Sequence, residues 1–86
     1  MNEFEEIMKP IAELMERKNR DYGKSFDALR AEYGEVAFLI RVSDKLSRLK
    51  ALTRQAALVE DESIEDTIKD IIGYCTLELA FRRRPK

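Results

Sequence analysis

Between Ile64 and Phe81 the apolar residues fall on two separate arcs of one helix, and this feature limits the available folds more than any other. Ile64, Ile68, Ile71, Ile72, Cys75 and Leu79 recur at helical intervals and make one stripe. At about 100° per residue, Tyr74, Leu77 and Phe81 fall on a second arc well round from it. A helix with two apolar arcs needs two neighbours. It begins near Glu60-Asp61-Glu62-Ser63, an acidic first turn suited to the positive end of the helix dipole.

The rest of the chain supplies those neighbours. Phe4, Ile7, Met8, Ile11, Leu14 and Met15 share one side of a first helix, which Pro10 should kink or restart because it lacks an amide donor. A second long helix runs from Gly34 to about Thr53, with Phe38, Leu39, Val42, Leu46, Leu49 and Leu52 on a broad apolar face. Lys18 to Tyr33 reads as a connector, because Asn19, Asp21, Gly23, Ser25 and Asp27 favour turns and few positions can be buried. Ser25 or Asp27 is placed to cap a short extra helix ending near Gly34. The expected fold is all-α: an antiparallel bundle of three main helices over a single domain, residues 1–86, with room for that short fourth element.

A chain of 86 residues buries only about three-fifths of the surface its unfolded form exposes. The Tyr74/Leu77/Phe81 arc exceeds what one three-helix core needs, so a homo-oligomer, and first a dimer, is expected to complete the fold. Charged residues make up 38% of the chain at a net charge of −1, which gives no overall drive towards nucleic acid, so direct nucleic-acid binding is not expected. The single cysteine cannot form an internal disulfide, and no signal peptide or membrane-spanning run stands out; the cytoplasm is the expected compartment. With no histidine in the chain, a catalytic base would be a carboxylate or a metal-bound water, which excludes Ser/His and Cys/His chemistry.

Two polar sets stand out. Glu62, Asp66 and Asp70 climb the third helix at four-residue steps, about 40° apart, towards Gly73 and Leu77. Three neighbouring carboxylates suit Mg²⁺ or a similar hard cation; an exposed stripe paired with lysines and arginines explains them equally. On the second helix Arg41, Lys45 and Arg48 share a narrow arc beside Asp44, a pattern that fits a phosphate clamp and also ordinary pairing of both arginines with Asp44. If the two sets face each other they line a charge-complementary groove. Cys75 reads as a small buried hydrophobe, Glu13 and Glu16 as solvated, and Arg82-Arg83-Arg84 as a complement to a helix C-terminus.

The run Lys18-Asn19-Arg20-Asp21-Tyr22-Gly23-Lys24-Ser25-Phe26 resembles the opening of a phage and bacterial family called nucleotide modification associated domain 1. The resemblance continues through Gly34, Leu39 to Leu49 and Asp61 to Asp70, then Gly73-Tyr74, and spans about residues 18 to 76. It implies a helical domain linked to nucleotide or DNA modification. Arg41, Lys45 and Arg48 would hold phosphates, Glu62, Asp66 and Asp70 a Mg²⁺ ion, and Asp21 and Tyr22 a base or sugar. The acid-rich helices are also similar to the all-α nucleotide pyrophosphohydrolases of the MazG type. The chain departs from that pattern, with no Glu-x-x-Glu on the second helix and with Gly73 where asparagine is expected in relatives. The alternative function is a non-catalytic helical module for oligomerisation or accessory protein binding.

Overall fold

In the computed structural model, residues 1–21, 24–54 and 61–85 are described, apart from the side chains of Asp21 and Asp61 to Ser63. They form four helices, α1 (Glu3–Asp21), α2 (Ser25–Tyr33), α3 (Glu35–Arg54) and α4 (Asp61–Arg83), and no strand occurs among them. No described helix is long and apolar enough to cross a membrane.

Helix α1 opens with a reciprocal cap. The Glu5 amide donates to Asn2 Oδ1 at 2.9 Å, while the Asn2 amide reaches Glu5 Oε1 at 3.4 Å. The helix passes through Pro10 as one element rather than restarting there. Pro10 is exposed, so the Glu6 carbonyl left without its helical donor can turn to water. Helix α1 also outruns the expected connector and ends at Asp21, where Lys18 and Arg20 complement the negative end of its dipole. The Lys24 amide bonds back to the Asn19 carbonyl at 3.0 Å and closes that end.

Lys24, in the left-handed region at φ 59°, starts α2. Neither Ser25 nor Asp27 occupies the cap position: Ser25 is the first helical residue and Asp27 lies in the first turn. At the other end, Gly34 alone joins α2 to α3. Its φ of 77° with ψ of −160° is open only to glycine, and its amide donates to the Arg30 carbonyl at 3.0 Å.

Helices α3 and α4 form an antiparallel hairpin, because Lys45 of α3 pairs with Asp70 of α4 at 3.2 Å and the earlier Glu35 pairs with the later Arg82 at 3.1 Å. Helix α2 lies across the C-terminal half of α4, with Phe26 and Tyr74 rings 6.3 Å apart and the Arg30 guanidinium 4.7 Å from the centre of the Phe81 ring. The short extra helix for which the sequence left room thus stands beside three long ones. The short element is an integral fourth helix, and it covers the Tyr74 and Phe81 arc that sequence spacing assigned to a dimer contact.

The most deeply buried residues of α4 are Thr67 and Glu78, which share one side of the helix, and Gly73, which lies well round from them; Ile68 and Leu79 of the isoleucine stripe are exposed. Apolar spacing located the helix but misjudged its inward face, because a buried glycine and two polar residues carry no hydrophobic signal. Glu78 explains how a charge can sit there. Its carboxylate accepts from Arg30 Nε at 2.8 Å and Nη2 at 3.1 Å, and from Arg82 Nε. Those hydrogen bonds, Arg30's first, hold its pKa below the ordinary value against the upward effect of burial. Arg84 adds a 2.8 Å pair with Asp27. The arginine tail is thus tied specifically to α2 and α3, rather than serving only as a dipole complement.

Candidate functional site

Helix α1, the start of α2 and the α3/α4 hairpin leave a cleft of about 240 Å³. Its apolar wall comes from Ile11, Leu14 and Met15 of α1, Phe26 of α2, and Tyr74 and Leu77 of α4. Gly73 sits on the same wall: a Cβ built there would stand 3.7 Å from Met15 Cγ and 3.9 Å from its Sδ, so the glycine leaves room beside Met15. The polar lining is Lys18, Asn19, Ser25, Lys45, Lys69 and Asp70. Three lysines and one aspartate are thus among the lining residues, and the aspartate is paired with Lys45 at 3.2 Å. The balance favours an anion.

Of the two polar sets, Lys45 and Asp70 are brought together here, one from each. Arg41 and Arg48 lie one turn to either side of Lys45 on the same flank of α3 and are exposed, as is Asp66 one turn before Asp70. Among the described residues no ion pair joins Arg41 or Arg48 to Asp44. Glu62 lies in the first turn of α4 with its side chain outside the described residues, and the described residues hold no group of three acidic or thiol side chains able to bind a metal. Asp21 ends α1 with its side chain likewise outside, and Tyr22 is not among the described residues.

Sequence reading missed Lys18, Asn19 and Lys69 as lining residues. Lys18 and Asn19 open the Lys18–Phe26 motif, but assigning them to a connector hid that the last turn of α1 carries them into the cleft. Lys69 falls on the solvated side of the helical wheel, yet a lysine stem is long enough to bring its ammonium to a neighbouring rim. A second basic cluster, Arg30, Arg82 and Arg84, is a less suitable anion site, since each arginine is already paired with Glu78, Glu35 or Asp27.

The volume limits what can enter. Pockets that enclose a drug-sized ligand run to about 300–1,000 Å³, and at 240 Å³ this cleft falls below that range. The family model described as nucleotide modification associated domain 1 matches residues 18–80, a span that takes in every cleft residue except Ile11, Leu14 and Met15. Searches of curated proteins and of solved structures each find no match.

Proposed function

The chain belongs to the nucleotide modification associated domain 1 family, and on that premise we propose that it binds a nucleoside phosphate in the lysine-rimmed cleft. The observation that carries this reading is the pairing of an apolar wall containing Phe26 and Tyr74 with Lys18, Lys45 and Lys69 at its edge. A base is flat and apolar on its faces, and aromatic side chains receive it; phosphate needs cations at a fixed distance from that base. Arg41 and Arg48, flanking Lys45, extend the basic edge for a longer polyphosphate.

A Mg²⁺ ion in this reading arrives as the counter-ion of the polyphosphate. Asp66 is the carboxylate open to it, with Glu62 one turn further back on α4. Asp70 is tied to Lys45, which makes it a positioning group for the lysine. The chain would serve nucleotide or DNA modification inside the cell by holding the nucleotide. Pyrophosphohydrolysis of the MazG type is the catalytic extension of the same reading.

The test is a panel of nucleoside mono-, di- and triphosphates against inorganic phosphate, with and without Mg²⁺, read by thermal stabilisation, calorimetry and pyrophosphate release. Stabilisation by nucleotides beyond inorganic phosphate, without turnover, is the expected result. Release of pyrophosphate would establish the hydrolase instead. No effect of any nucleotide would overturn both and leave the helical oligomerisation or accessory module.

A further inference from the structure

The sequence contains an apolar stripe that neither the fold nor the cleft consumes. Ile68, Ile72, Cys75 and Leu79 follow one side of α4, and Ile68 and Leu79 remain 43% and 62% exposed. On α3, Leu39 and Leu46 are 56% and 43% exposed. The two rows lie side by side. Glu35 stands one turn before Leu39 and Arg82 one turn after Leu79, and their 3.1 Å pair closes one end of this face. The Lys45–Asp70 pair marks the opposite edge of the hairpin, where the cleft opens. By helical position, the residues of α4 that meet α1 and α2 lie round from this stripe, and the stripe bears no charged side chain between Ile68 and Leu79.

We propose that this bare face of the α3/α4 hairpin packs against the same face of a second copy, making a four-helix core across a two-fold axis. The occupant follows from area. A monomer of 10.1 kDa exposes about 5,300 Å² by the usual size scaling, whereas this chain exposes 6776 Å². The excess over the whole chain is roughly 1,500 Å², of the order of the 1,000–2,500 Å² that each partner contributes to an obligate homodimer, and the exposed Leu39, Leu46, Ile68 and Leu79 contribute to it. The radius of gyration agrees in direction, at 14.3 Å against about 12 Å expected for a compact chain of this length. Among the described residues only Ile11 and Phe26 are buried apolar side chains, and α3 has none. A self-complementary apolar face, charged only at its ends, is what an isologous contact requires.

This proposal does not depend on nucleotide binding, because the face and the cleft lie on different sides of the hairpin. Sedimentation equilibrium of the full chain tests it. The wild type should weigh twice 10.1 kDa, and its melting temperature should rise with protein concentration. Leu39→Glu and Leu79→Glu, both exposed in the single chain, should each weaken association about a hundredfold, since each substitution enters a symmetric interface twice. Phe4→Glu, equally exposed but on α1, should leave association unchanged. A wild type that stays at the single-chain mass at every concentration overturns the proposal, as does a dimer that survives both face substitutions. If the face variants fail to fold, the concentration dependence of the wild-type mass and melting temperature decides alone.

Discussion

Glu78→Gln isolates the charge at the centre of the α2–α4 contact while keeping the side chain's shape. The carboxylate is 4% exposed and Arg30 12%. Glutamine retains one oxygen for one Arg30 donor, but its amide nitrogen would turn a donor towards a guanidinium that also donates. Breaking a buried pair by removing one charge typically costs about 3–5 kcal/mol. Arg82 is half exposed, so its share is that of a surface pair, and the lower end, about 3 kcal/mol, is expected. In a chain of this size that loss lowers the melting temperature by roughly 12–24 °C. Urea unfolding at one fixed protein concentration, across pH, is the assay. The folded pKa of Glu78 is depressed, so its contribution is full above the unfolded value of about 4.3 and is lost as pH falls through the folded value. The gap between wild type and variant should therefore be constant near neutrality and close in acid, where the wild-type carboxyl also becomes neutral. A neutral-pH gap below about 0.5 kcal/mol, the range of an ordinary surface change, or a gap that persists unchanged into acid, would refute the assignment.

Gly34→Ala should cost about 1–3 kcal/mol by thermal melting, because nothing crowds its Cβ but the backbone at φ 77° is strained for any other residue. Gly73→Ala should stabilise by up to about 1 kcal/mol, since its Cβ meets Met15 at ordinary contact distance and alanine favours the helix interior. In calorimetry, Lys45→Ala should weaken nucleotide binding about tenfold with or without Mg²⁺, the loss of one charge-assisted contact. Arg41→Ala should weaken it less, and Asp66→Asn should reduce only the Mg²⁺-dependent part.

Much of the architecture is legible in the sequence: apolar spacing gives the helical class, Gly34 the boundary between α2 and α3, and the acidic turn at Glu60 to Ser63 the start of α4. The spacing fails where burial is polar or where tertiary contact extends an element. Lys18 to Asp21 look like turn residues in isolation, yet dipole complementarity and the Lys24-to-Asn19 bond keep them helical. Glu78 sits on the Tyr74/Phe81 arc at helical spacing, so a carboxylate among aromatics was available as a signal. Its partner Arg30 lies 48 residues away, and a one-dimensional pattern cannot supply it. The site was legible in part for the same reason. Lys45 and Asp70 each stood out within a local set, whereas Lys18 and Lys69 join them only through the packing of α1 against α4.

The two arcs of α4 connect the short helix with the proposed second copy. The Tyr74 and Phe81 arc is met inside the chain by Phe26 and Arg30 of α2, and the isoleucine stripe is the face proposed for a second copy. Between them, Gly73 removes a side chain where α1 approaches, so the helix that supports both contacts also opens the cleft. A substitution that fills Gly73 with a longer polar side chain should therefore reduce ligand binding while leaving association intact. Leu39→Glu should do the reverse, so long as the single hairpin remains folded. Coupled loss of both properties in either variant would mean that the cleft is ordered only in the dimer.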